Sequence, residues 1–202
     1  MGINNFWEIV SPCIERVPAS DLSGKKVAVD LAWWVVSDKQ MIASKNTVRN
    51  KETQNFHIRN LFYRVKKLLQ LGVQPIFVLD GVAPDLKLKT IASRLGVGSV
   101  KSGARTFLRR QFEPCCQLLE SMGVTWCQAS NEAEKLCAAL QAAGYVDAVL
   151  SADGDSICFG ATSLYRSFSS ESDAEIEKES VKIYKIVAFN ADFINLIPSR
   201  YP

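Results

Sequence analysis

The sequence predicts an α/β fold: a mostly parallel, twisted sheet flanked by helices on both faces. Three observations predict it. Short apolar runs alternate with segments of helical periodicity along the chain. Those runs are almost continuously apolar, as strands are when both faces of a sheet are covered. Several of them also end on an aspartate, which places polar chemistry at the strand exits.

In chain order, KKVAVD predicts a strand ending at Asp30. Residues 54–71 predict a helix, because Ile58, Leu61, Phe62, Val65 and Leu69 fall at i, i+3, i+4, i+7 and i+11 and leave Arg59, Lys66 and Lys67 off the stripe. QPIFVLD is a second strand ending at Asp80. Phe107, Phe112, Cys116, Leu119 and Met122 mark a helix over 105–122, which Pro114 is expected to kink or restart. VTWCQ follows Gly123 as a third strand. Ala133, Leu136, Cys137 and Leu140 carry a helix over 131–143, and Gly144 stops it. VDAVLSAD is a fourth strand running into Asp153, and VKIY near 181–184 is a weaker fifth. Residues 95–104 and 169–180, rich in Gly/Ser and in acids respectively, read as mobile surface loops.

The chain has 202 residues, 48% hydrophobic and 22% charged, which is an ordinary soluble globular composition with material for a substantial core. No uncharged apolar stretch is long enough to span a membrane, and MGINNFWEIV does not have the form of a secretory signal. Six scattered cysteines without a C-x-x-C pair, and the single His57, argue against a zinc site and a disulfide scaffold. They point to a reducing compartment.

The net charge of +3 is unevenly spread. Residues 1–110 hold 18 basic and 8 acidic residues, a net +10; residues 111–202 hold 6 and 13, a net −7. Seven basic residues and no acid lie between Lys87 and Arg110. Such a stretch suits a phosphate backbone or, more plainly, a solvated face.

The acids are more informative. Asp30 and Asp80 close strands, Asp153 and Asp155 follow a third, and Glu132 and Glu134 open a helix after a fourth. In an open parallel sheet ligands bind at the carboxyl ends of the strands, so all six are expected at one mouth. Two carboxylates about 4 Å apart repel by roughly 4 kcal/mol at an effective dielectric near 20. A gathered set therefore calls for cations, and oxygen donors without histidine or thiolate select Mg²⁺ or Mn²⁺. Two ions suit in-line phosphodiester displacement. Each acid also has a structural reading. Asp30 or Asp80 can cap a loop or helix. Asn131 and Glu134 have capping-box spacing, and Asp153-Gly154-Asp155 can be a turn. Neither GxGxxG nor GxxxxGK[ST] occurs, so the glycine cradles of dinucleotide and P-loop sites are missing. Asp30 as a phospho-acceptor would leave the pairs at 132/134 and 153/155 unexplained.

MGINNFW, KKVAVDLAWWV, HIRNLFYRV, PIFVLDGVAPDLK, NEAEKLCAAL and ADGDSICFGATSLYR, in that order, resemble the flap endonuclease/XPG family of structure-specific 5′ nucleases, and most of all its GEN-like branch of Holliday junction resolvases. The likeness covers about residues 1–185: an N-terminal block to about 95, an arch-like segment at about 95–110, and an internal block at about 111–185. It implies a PIN-like 5′-nuclease core acting on 5′ flaps or four-way junctions in DNA repair and recombination. It further implies two Mg²⁺ ions, replaceable by Mn²⁺, a nuclear location and a transient homodimer on junction DNA. By motif, Asp30, Asp80, Glu132, Glu134, Asp153 and Asp155 match the metal-ligand acids. Lys87 and Arg94 match the cations that face the scissile phosphate. Gly2 matches a glycine near the active site, and Lys101, Arg105, Arg109 and Arg110 fall in the DNA-tracking arch. Phe107 reads as core, and Trp33 and Trp34 read as core before they read as base-stacking platforms.

The family's following helical half, with a further metal-binding aspartate and a duplex-gripping element, has no counterpart in the divergent tail 186–202. The expectation is a C-terminally truncated nuclease core, with an impaired DNA-binding or regulatory fragment as the alternative and a small-substrate phosphohydrolase as a third reading.

Overall fold

The computed structural model describes residues 6–44, 55–81, 103–166 and 182–187. Of the loops expected at 95–104 and 169–180, residues 95–102 and 169–180 lie outside them, as do Gly2, Lys87, Arg94 and Lys101, whereas Gly103 and Ala104 are helical.

Among the described residues seven strands form one sheet: β1 (Ile14–Pro18), β2 (Lys26–Asp30), β3 (Gln74–Leu79), β4 (Thr125–Gln128), β5 (Ala148–Leu150), β6 (Ser163–Arg166) and β7 (Lys182–Val187), in the order β1-β7-β6-β5-β2-β3-β4. The five strands from β6 to β4 are mutually parallel, with β2 at their centre. Strand β7 runs antiparallel to β6 and to β1, which closes that edge. The helices among the described residues are α1 (Phe6–Ile9), α2 (Leu31–Ser44), α3 (Phe56–Gln70), α4 (Gly103–Ser121), α5 (Ala133–Ala142) and α6 (Asp155–Cys158), with short 3-10 turns at Ser11–Cys13 and Ala19–Leu22.

Side chains alternate across the sheet. Val27 and Val29 of β2, Phe77 and Leu79 of β3, and Ala148 and Leu150 of β5 join one core, with α2, α3 and α4 packed on it through Trp34, Leu61, Val65, Leu68 and Leu119. Ala28, Val78, Val149 and Leu164 point to the other face and join Ala133, Cys137 and Ala138 of α5 and Ile157 of α6. Two buried faces account for the unbroken apolar runs in the strand sequences.

The structure departs from the sequence expectation in several places. In α3, Phe62 and Leu69 of the expected stripe are exposed, while Lys67, expected off it, is buried with His57 and Asn60. Helix α2 follows β2 directly. Its buried residues Leu31, Trp34, Val35 and Asp38 keep helical spacing, but the fourth is a carboxylate and disguises the stripe. Trp34 is core, with its ring 5.6 Å from that of Phe77 in an edge-to-face pair. Strands β1 and β6 are additional to the expected set: the sequence IERVP is charged and partly exposed, and SLYR is only four residues long. Helix α4 runs unbroken through Pro114 and does not restart there. Finally, Asn131 and Glu134 do not form a capping box, since α5 starts at Ala133, whose N–H goes to the Asp80 carboxylate just past β3.

Candidate metal centre

Alternation also decides which acids meet. Asp30 continues the series that contains Ala28, Asp80 the series of Ile76 and Val78, and Ser151 the series of Val149, so all three face α5. Asp30 ends β2 and is almost wholly buried. The Ser151 hydroxyl donates to its Oδ2 at 3.0 Å, and the Trp33 N–H approaches Oδ1 at 3.4 Å. Burial, and then the charge of Asp80, push the Asp30 carboxyl up to about 6.

Asp80 lies just beyond β3 and accepts the Ala133 N–H at 2.8 Å, capping α5 from across the sheet. This arrangement needs Gly81. A Cβ there would overlap the Ala129 carbonyl oxygen, and the Gly81 N–H donates to the Asn131 carbonyl at 2.6 Å. The cap brings Glu134, in the first turn of α5, towards the strand exits. Burial pushes Glu134 up to about 7, and Asp30, Asp80 and Asp153 all add to the rise. Its Oε2 is buried with no hydrogen-bond partner among the described residues. Such an orphaned carboxylate oxygen calls for an explanation, and an unseen ion is one.

Asp153 and Asp155 follow β5. The Asp153 N–H donates to Ser151 Oγ at 3.1 Å, and the Asp155 N–H donates to Asp153 Oδ1 at 3.1 Å. Gly154 between them packs against the Phe6 ring, which a Cβ would overlap. The structure thus brings Asp30, Asp80, Glu134 and Asp153 within electrostatic reach of one another. Glu132, at the N-cap of α5, and Asp155, at the start of α6, flank them.

Arg105, Arg109 and Arg110 belong to α4, but their side chains lie outside the described set, as does that of Phe107.

Sequence reasoning missed Ser151, which links Asp30 to the Asp153 backbone; its signal was its place on the same strand face as Val149. Cys137, which the sequence places on the stripe of this helix, is buried one turn beyond Glu134. Burial, with help from Asp30 and Glu134, raises that thiol and keeps it protonated.

The donor set is all oxygen and fits a hard divalent cation. Among the described residues no three Asp, Glu, His or Cys side chains meet closely enough to hold an ion by themselves. Magnesium usually keeps several waters and takes only one or two carboxylates, so these residues still fit it.

Residues 1–97 match the XPG N-terminal domain family, and residues 123–194 match the XPG I-region family. The chain is 38% identical over 176 residues to flap endonuclease GEN homolog 1 of Homo sapiens, a match that takes in 83% of this chain and 19% of that protein. The fold is similar to that of human GEN1 in complex with Holliday junction DNA, with a TM-score of 0.73 and 33% identity over 92% of this chain and 44% of the other. It is also similar to GEN1 in complex with product DNA and a Mg²⁺ ion, with a TM-score of 0.61 and 28% identity over 93% and 40% of the two chains. The chain spans about a fifth of the length of the mouse and human relatives.

Proposed function

The chain belongs to the XPG family of structure-specific nucleases, on its GEN side, and from that premise we propose that it is the catalytic core of a Mg²⁺-dependent endonuclease that cuts DNA at 5′ flaps or four-way junctions. The observation that carries the reading is the group at the strand exits. Asp30, Asp80 and Asp153 all raise the proton affinity of Glu134, whose Oε2 has no partner among the described residues. A divalent cation relieves both costs at once.

In this reading Asp30, Asp80, Glu132, Glu134, Asp153 and Asp155 hold two Mg²⁺ ions, for which Mn²⁺ substitutes. When bound, the ions supply charge stabilisation for the phosphodiester and a water of lowered pKa. Ser151 orients the Asp30 carboxylate, and the Asp80 cap fixes the start of α5 and with it Glu134. Lys87 and Arg94, seven residues apart, supply positive charge to the scissile phosphate. Lys101, Arg105, Arg109 and Arg110 hold the DNA backbone, and Gly2 leaves room beside it. The domain division, the nuclear location and a transient homodimer on junction DNA belong to the same proposal.

The test is incubation with labelled 5′-flap and four-way-junction DNA in Mg²⁺ and in EDTA. Discrete metal-dependent cuts support the reading; cleavage that survives EDTA overturns it. A second reading, DNA binding without cleavage, has one observation in its favour: no preformed three-ligand cluster exists among the described residues. Salt-sensitive binding with no cuts would select it.

A further inference from the structure

The Asp153-Gly154-Asp155 turn is gripped from outside the sheet. Phe6 of α1 lies against Gly154 so closely that only a glycine fits between the two aspartates. The Phe6 ring is itself held edge-on by Trp7, at 5.1 Å and 81°. Trp7 carries the Arg166 guanidinium on its face at 3.8 Å, which ties α1 to the end of β6. Both rings pack on the core shared with α5 and with Ile157 of α6.

Within the turn, each aspartate is positioned through its backbone. The Asp153 N–H rests on Ser151, and the Asp155 N–H rests on Asp153. A turn held by two such bonds still needs a wall on its open side, and the Phe6 ring supplies one.

We propose that Phe6, braced by Trp7 and Arg166, is a positioning residue that sets the Asp153-Gly154-Asp155 turn for divalent-cation binding. The proposal rests on the metal-nuclease reading above.

The experiment measures Mn²⁺ binding to the full chain by electron paramagnetic resonance, with thermal melting alongside and no DNA present. Phe6→Ala is expected to weaken Mn²⁺ affinity by about tenfold, the lower end of what supporting residues around metal sites contribute. Phe6→Leu, which keeps an apolar wall, is expected to recover most of the affinity. Leu119→Ala, in the core on the opposite face of the sheet, is expected to lower the melting temperature and leave Mn²⁺ affinity unchanged. Where Phe6→Ala fails to fold, Trp7→Leu removes the brace and carries the same expectation. Wild-type affinity in a folded Phe6→Ala or Trp7→Leu overturns the positioning role alone. An equal loss of affinity in Leu119→Ala also overturns it, because the effect is then general destabilisation. If the wild-type chain takes up no Mn²⁺, the metal reading itself falls.

Discussion

At the scale of single residues, the carboxylates at the strand exits are held at a cost that depends on pH. Asp30 is raised from 3.8 to about 6 and Glu134 from 4.5 to about 7, both by burial first and neighbouring carboxylates second. The folded metal-free chain therefore binds these protons more tightly than the unfolded chain. This contribution to stability is full below about pH 4 and is lost as pH rises towards 7. Melting of the EDTA-treated protein should fall across that window, and Glu134→Gln should flatten the fall. Added Mg²⁺ should restore more stability at pH 8 than at pH 5.5, because below 7 it must displace protons. The same residues carry the chemistry. Asp153→Ala should reduce DNA cleavage by at least about a hundredfold, in line with losses at charge-stabilising positions, while circular dichroism stays that of the native fold. Normal cutting by that variant would remove Asp153 from the metal site.

At the scale of elements, helices α2 and α3 are joined by a buried ion pair. Arg64 Nη1 and Nη2 donate to the two carboxylate oxygens of Asp38 at 3.0 and 2.9 Å, and the guanidinium lies 5.2 Å from the centre of the Trp34 ring. Only 2% of the Asp38 side chain is exposed. Asp38→Ala strands the arginine charge and should cost about 3–5 kcal/mol. Exchanging both partners for apolar residues of similar volume should cost much less. Urea unfolding of the single and double variants distinguishes the two. The pair also shows what the sequence could reveal. Strands β2, β3 and β5 were legible because each is a largely apolar run, and α5 because its stripe is apolar; α3 was legible as a helix from Leu61 and Val65, although its buried face also takes in His57, Asn60 and Lys67. Helix α2 was hidden by the charge at Asp38, whose partner lies 26 residues away. Strands β1 and β6 were hidden because edge position and brevity leave little pattern. At the site, the acids were visible from their place at strand ends. Ser151, Gly81 and the Phe6 wall were not, because each acts through a neighbour distant in sequence.

At the scale of the whole molecule, charge is divided along the chain, and the basic excess lies in residues 1–110. Binding to branched DNA should weaken steeply as salt rises. Replacing Arg105, Arg109 and Arg110 with alanine should lower the slope of log affinity against log salt by about 1 for each phosphate left without its cation. Fluorescence anisotropy over a salt series measures it, and an unchanged slope would show that these three arginines of α4 do not touch the backbone.

The pairing of β1 with β7 has a further consequence. Ile14 lies opposite Ile186, so the first described strand waits for the last described one. Until then β1 has no edge to join. Assembly of this margin must therefore wait for β7, after the strands of the parallel centre have been made. A nascent chain arrested before β7 would expose an unpaired strand to chaperones or to its neighbours.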